Sequence, residues 1–173
     1  GDLQLIGSPT GGTWSGSGVT TGGVLSTATD GIFTLTYSFG TATCLIQDQV
    51  TVVVHALPVV DAGDAIAVCL DGGVQVLTAT PVGGAWSGTG VDAAGNFDPL
   101  MALPGGNPVT YGYTDPATGC SNTDATLVTV NPLPVPGMTH APVACANVAL
   151  PFTNTSTGAT GHEWDFGDGT GSF

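Results

Sequence analysis

The sequence predicts an all-β protein built from tandem antiparallel β-sandwiches with Greek-key connections. Three observations lead to this fold: strand-like runs of about six residues, turn signals every eight to 12 residues or so, and a Trp-centred segment that occurs three times. The strand-like runs are rich in Thr, Val, Leu and aromatic residues, and no helical periodicity of useful length interrupts them. The 28 glycines and 12 prolines lie between these runs, as expected for turns.

The charge of the chain is entirely negative, with 13 acidic residues, no Lys or Arg, and a formal net charge of −13. Most of the acids are Asp beside Gly, Ala or Pro, where Asp favours turns. A chain without cationic side chains lacks the groups that neutralise phosphates, and it is repelled by anionic membrane surfaces. We therefore expect no nucleic-acid partner and no membrane insertion.

An internal repeat organises the sequence. Gly-Gly-Thr-Trp-Ser-Gly-Ser-Gly-Val at residues 11–19 returns as Gly-Gly-Ala-Trp-Ser-Gly-Thr-Gly-Val at 83–91, a shift of 72 residues. Further along the chain the shift reaches 76, since Cys44 returns as Cys120. The shift grows only across segments that carry Gly or Pro, which indicates loop insertions between fixed strands.

The repeat predicts three domains. Residues 1–57 form an N-terminally truncated copy, residues 58–134 a complete copy, and residues 135–173 the truncated start of a third. Within the complete copy, alternating β-branched residues predict strands at residues 65–69, 74–80, 84–87, 96–99, 108–114 and 125–130. The linker at residues 131–142 contains four prolines and the linker at residues 55–63 contains one, which favours a stiff rod over a flexible string.

These residues resemble a known family. A Cys, then Gly-Gly-x-Trp-Ser-Gly-x-Gly-Val, then Tyr-x-Tyr-Thr-Asp and a late Gly-Cys is similar to immunoglobulin-like (Ig-like) repeats of very long bacterial surface proteins. That group includes gliding-type adhesins exported by the type IX secretion route. Trp-Asp-Phe-Gly-Asp-Gly at residues 164–169 resembles the hallmark of a PKD-like (polycystic kidney disease type) domain.

The resemblance implies tandem Ig-like sandwiches followed by an incomplete PKD-like domain in a secreted, cell-surface protein. It implies a structural role as stalk, adhesin or filament material without catalysis. The partners it implies are neighbouring repeats of the same chain and lateral copies of the chain in a fibre. The alternative is a carbohydrate-binding accessory module of a secreted multidomain protein, with surface glycans as partners.

The four cysteines occupy repeat-related positions. In an extracellular protein a disulfide is the natural interpretation, and Cys69 and Cys120 are the pair available within the complete copy. A simple sandwich places these two cysteines at opposite ends, so pairing between successive domains is the alternative. On either pairing, Cys44 and Cys145 have partners outside this sequence.

Trp14, Trp86 and Trp164 recur at one repeat position and are predicted to fill the space between two sheets. A carbohydrate-stacking platform is the alternative interpretation of these indoles. At least one of Tyr111 and Tyr113 is expected to be partly exposed.

Catalysis and cofactor binding find little support in the sequence. No nucleophile, base and orienting group can be assembled, so we expect neither catalytic residues nor a cofactor. Scattered acids leave weak structural Ca²⁺ binding open, with Asp61, Asp64, Asp165 and Asp168 as candidates.

Overall fold

The computed structural model describes residues 1–167 and confirms the all-β prediction, since that range contains strands, turns and one short 3₁₀-helix, Pro99–Met101. The strands are β1 (Asp2–Gln4), β2 (Thr13–Ser15), β3 (Val24–Ser26), β4 (Gly31–Thr41), β5 (Cys44–Val54), β6 (Ile66–Cys69), β7 (Gln75–Val76), β8 (Ala85–Gly88), β9 (Asn96–Phe97), β10 (Gly105–Thr114), β11 (Ser121–Asn131), β12 (Met138–His140) and β13 (Phe152–Asn154). Within residues 1–167, no helix has the length and apolar character needed to cross a bilayer.

The first copy forms two antiparallel sheets, one with the strand order β2-β4-β5 and the other pairing β1 with β3. Trp14 of β2, Leu25 of β3 and Leu35 of β4 form a buried cluster. Because this cluster draws residues from both sheets, the sheets face each other across one core, as in a β-sandwich.

The complete copy repeats this arrangement and adds one strand. Its larger sheet has the order β6-β11-β10-β8, and β7 pairs with β9 in a second sheet. β6 runs parallel to β11, with Cys69 opposite Asn131, whereas β8 and β10 are antiparallel. Five of its buried apolar side chains lie at repeat positions that contribute to the first core, namely Trp86, Phe97, Val109, Tyr111 and Val128.

Two predicted strands differ most in length from the observed ones. The strand predicted at residues 74–80 shortens to Gln75–Val76, because Thr80 pairs with Asp61 in an isolated bridge instead of continuing along β9. β11 extends to Ser121–Asn131, beyond the predicted residues 125–130. Its first residues are polar and half or fully exposed, so a search for β-branched alternation misses them.

The chain divides into two compact units. One comprises Gly1–Val59 with Tyr113–Asn122, and the other comprises Val60–Gly112 with the chain from Thr123 onward. The hairpin tip at Tyr113–Asn122 groups with the first unit because it contacts the segment after β5: Asn122 Nδ2 donates to the Pro58 carbonyl at 3.0 Å. In the second unit, β12 pairs antiparallel with β13.

Candidate functional site

The most distinctive arrangement is a tryptophan–tyrosine junction, formed by Trp14 with Tyr37 in the first copy and by Trp86 with Tyr111 in the complete copy. The two residues of each pair lie directly opposite each other on neighbouring strands. Ring centroids are 5.0 Å apart in the first junction and 5.1 Å in the second, with interplanar angles of 49° and 51°. The junction is thus built twice with almost the same geometry.

The tyrosine hydroxyl closes the turn that precedes the tryptophan strand. In the complete copy, Tyr111 Oη accepts the Gly84 N–H at 2.7 Å and donates to the Pro81 carbonyl at 2.7 Å. In the first copy, the Tyr37 hydroxyl makes the corresponding bonds to Gly12 and Pro9, at 2.8 and 2.5 Å. A phenol used as both donor and acceptor is satisfied within the fold.

Glycines let the backbone approach both aromatic rings. A Cβ on Gly84 would lie 2.6 Å from Tyr111 Cζ and would overlap the Gly112 carbonyl oxygen. Gly95 adopts a φ of +93° beneath the other ring of the junction, where a Cβ would lie 2.8 Å from Trp86 Nε1. In the Gly-Gly-x-Trp signature, close packing against Tyr111 therefore accounts for Gly84, and a φ of +100° accounts for Gly83.

We expect Tyr111→Phe to lower the free energy of unfolding by about 1–3 kcal/mol, because it leaves the Gly84 N–H and the Pro81 carbonyl without their partner. Tyr113→Phe is the matched control, since that side chain is half-buried at the end of β10 and water can replace lost contacts. Urea titration followed by circular dichroism measures both variants. Equal losses in the two variants would contradict the assigned role of the Tyr111 hydroxyl.

A turn after each tryptophan strand is held by a side-chain oxygen. Asp92 Oδ1 accepts the N–H groups of Ala94 and Asn96 at 3.0 and 2.9 Å. The Asn96 side-chain amide donates to Asp92 Oδ2 at 2.8 Å. These bonds lower the pKa of Asp92 below its ordinary value of 3.8, and the bond from the Asn96 side chain has the largest effect. In the first copy, Thr20 Oγ1 accepts the Val24 N–H at 3.0 Å at the same place.

We expect Asp92→Ala to lower the urea midpoint at pH 7. Because the folded-state pKa of Asp92 is lowered, the stabilisation exists above the unfolded pKa of about 4 and is lost as the pH falls through the folded value. The difference in urea midpoint between wild type and Asp92→Ala should therefore become smaller as the pH is lowered. Asp92→Thr copies Thr20 and should keep a pH-independent advantage over Asp92→Ala. If the difference in urea midpoint between wild type and Asp92→Ala stayed constant below about pH 4, the charge of the Asp92 carboxylate would not be what holds the turn.

Within the described residues, the sequence-predicted Ca²⁺ candidates Asp61, Asp64 and Asp165 form no cluster that could hold a metal ion. Asp61 Oδ1 accepts the Gly63 N–H, and Asp165 Oδ1 accepts the Gly167 N–H, each at 2.8 Å, which is an Asx-turn arrangement. Asp64 is exposed, and Asp168 lies outside the described residues. Among residues 1–167 no group of three His, Cys, Asp or Glu side chains is placed to hold a metal ion.

The repeated tryptophans differ in exposure. Trp14 exposes 9% and Trp86 6% of its surface, so neither indole presents a face to a sugar ring. Trp164 is half-buried and stacks parallel to Phe166 with centroids 6.2 Å apart. Trp164 lines a cavity of about 430 Å³ together with Asn154, His162, Glu163 and Asp165.

The expected Cys69–Cys120 bond is not present, because all four cysteines are free thiols in the structure. Cys69 lies opposite the last residue of β11, whereas Cys120 immediately precedes the first residue of that strand. An 11-residue strand holds its ends about 30 Å apart, far beyond the reach of a disulfide. The Cys120 thiol instead lies 4.0 Å from the His55 carbonyl oxygen.

Sequence reasoning missed the buried side chain of Asn107. Its amide donates to the carbonyls of Leu103 and Gly105 at 2.8 and 3.0 Å, and its Oδ1 accepts the Leu103 N–H at 3.1 Å. These bonds fold the loop before β10, where the complete copy has two residues more than the first copy. The only signal in the sequence was the change in repeat shift. It shows that residues are inserted here, but it does not indicate that Asn107 fixes the inserted loop.

The geometry assembles packing junctions and capped turns. The comparisons with known proteins assign no family. No protein-family model matches this chain, and a search of curated proteins finds no significant match.

Proposed function

We propose that this chain is a structural or adhesive segment of a long extracellular surface protein, in which β-sandwich repeats act as stalk or fibre-forming units without catalysis. The proposal takes residues 1–57 and 58–134 as successive Ig-like copies and residues 135–173 as the start of a PKD-like copy. The near-identity of the two tryptophan–tyrosine junctions carries it. The recurring residues serve packing and turn geometry, which a mechanical repeat requires in every copy.

Lateral association of chains into a fibre is supported by the edge of the first copy. β5 is the outer strand of its sheet, and residues 44–51 keep a free edge even if a β6 counterpart pairs with its end, since β6 pairs only with the last four residues of β11. This part of β5 exposes the apolar side chains of Leu45, Ile46 and Val50. A long, apolar edge offers unpaired backbone groups and side chains to another strand. A second copy of the chain is the partner that this proposal assigns to it.

Small-angle scattering from chains with one, two and three copies of residues 58–134 tests the stalk role. A rod of repeats gains length in proportion to copy number, whereas a compact particle grows only as about the 0.38 power of chain length. We expect a radius of gyration that rises almost linearly with copy number. Growth on the compact scale would overturn the proposal.

Carbohydrate binding is the second candidate, and one observation favours it. The Trp164 ring, which is parallel to that of Phe166, lines a cavity together with carboxylate, amide and imidazole groups, which suits stacking with hydrogen bonds to hydroxyls. An oligosaccharide array probed with the full chain tests this candidate. Binding that Trp164→Ala abolishes and Trp86→Phe retains would support it, whereas an array without any bound sugar would remove it.

A further inference from the structure

The tip of the β10–β11 hairpin lies against the segment that leaves the first copy. Cys120 Sγ is 4.0 Å from the His55 carbonyl oxygen, and Asn122 Nδ2 donates to the Pro58 carbonyl at 3.0 Å. Both contacts lie within one compact unit. A cysteine of the complete copy is thus held beside the end of the strand β5 of the preceding copy.

The complete copy shows what normally lies beside that strand end. Asn131 is the repeat counterpart of His55, since the shift is 76 residues in this region. Cys69 is the parallel partner of Asn131 in the β6–β11 pair, and the Leu70 N–H donates to the Asn131 carbonyl at 2.9 Å. The carbonyl at this position therefore points toward the strand that carries Cys69.

Transferring this register to the first copy places two cysteines together. A Cys69 counterpart in that copy would lie opposite His55, on the side to which the His55 carbonyl points and where Cys120 already lies. Neighbouring strands are about 4.8 Å apart, and a disulfide needs a Cα separation of about 4.4–6.8 Å. The Cys69 counterpart would thus lie one strand spacing from His55, and the Cys120 thiol lies 4.0 Å from the His55 carbonyl oxygen. Both cysteines therefore flank the same residue, whereas Cys69 and Cys120 of one copy lie at opposite ends of β11.

We infer that the cysteine at the Cys69 position of one copy forms a disulfide with the cysteine at the Cys120 position of the next copy. The inference rests on the proposed function, since it requires copies to follow one another in an array. No residue of this sequence aligns with Cys69 in the first copy or with Cys120 in the third. The partner position of each of the four thiols therefore lies outside this sequence.

The bond forms by thiol–disulfide exchange with a small disulfide such as oxidised glutathione. One cysteine thiolate attacks the oxidant, releases one glutathione thiol and becomes a mixed disulfide. The second thiolate then attacks that mixed disulfide and releases the other glutathione. The two protein thiols are oxidised, the oxidant is reduced to two thiols, and the two protons pass to the glutathione thiolates or to solvent.

The test duplicates residues 58–134 directly after residue 134 within the full chain. In the next-copy version, the two remaining cysteines are Cys69 of the original copy and the cysteine at the Cys120 position of the inserted copy. In the same-copy version, they are Cys69 and Cys120 of the original copy. All other cysteines in both versions are replaced by serine. In a glutathione redox buffer, we expect at least about tenfold more intramolecular disulfide in the next-copy version, measured by mass spectrometry after alkylation.

Comparable bond formation in the same-copy version, or none in the next-copy version, would overturn the inference. In the unmodified chain we expect glutathione adducts on the cysteines, and a peptide linking Cys69 to Cys120 would also overturn it. Scattering from the reduced variants separates the two proposals. An elongated array without the bond removes only the disulfide, whereas a compact particle removes the proposed function.

Discussion

Replacing Trp86 by alanine is expected to lower the free energy of unfolding of the complete copy by about 3–5 kcal/mol. The indole exposes 6% of its surface and packs on the Tyr111 ring at 5.1 Å. Its removal leaves a cavity that the surrounding strands cannot fill without breaking their register. Urea unfolding followed by far-ultraviolet circular dichroism measures the loss without relying on tryptophan fluorescence.

Two control variants sharpen this prediction. Trp86→Phe keeps an aromatic ring in the core and should lose clearly less than the alanine variant. Trp14→Ala removes the matching indole of the first copy and should cost a similar amount, because the two junctions share their geometry. A loss below about 1 kcal/mol for Trp86→Ala would mean that the indole does not hold the core together.

The sequence predicted the all-β class because strands and turns are local features with local signals. Alternation of β-branched residues located most strands of the complete copy, and Gly-rich segments located the turns. The repeat also pointed to Trp14 and Trp86 as equivalent positions, and both are buried. Each of these inferences needed only residues that are near in sequence or related by one repeat shift.

Features set by pairing between distant segments could not be predicted in this way. The parallel pairing of β6 with β11 joins Cys69 to a residue 62 positions later, and no local pattern encodes it. That pairing fixes Cys69 at the far end of β11 from Cys120, which is why the one cysteine pair available within a copy does not come together. The hydrogen bonds of the Tyr111 hydroxyl could not be predicted either, because its partners are backbone groups, the Gly84 N–H and the Pro81 carbonyl.

Gly84→Ala is expected to lower the free energy of unfolding by about 2–5 kcal/mol, through overpacking together with a lost hydrogen bond. The added methyl group would overlap the Gly112 carbonyl oxygen and lie 2.6 Å from Tyr111 Cζ. A backbone carbonyl cannot rotate away as a flexible side chain can, so β8 must shift from β10. That shift also separates the Gly84 N–H from the Tyr111 hydroxyl, now 2.7 Å apart.

Gly112→Ala is the matched control, because it adds the same methyl group to the facing strand. There the new Cβ would meet Thr123 Cγ2 at 3.6 Å, an ordinary van der Waals distance, and an interior strand glycine gains from a side chain. We expect a change within about 0.5 kcal/mol of zero for this control. If both variants lost equal stability, general strand sensitivity would explain the result. A selective loss at Gly84 would tie the Gly-Gly-x-Trp signature to close approach at the tryptophan–tyrosine junction.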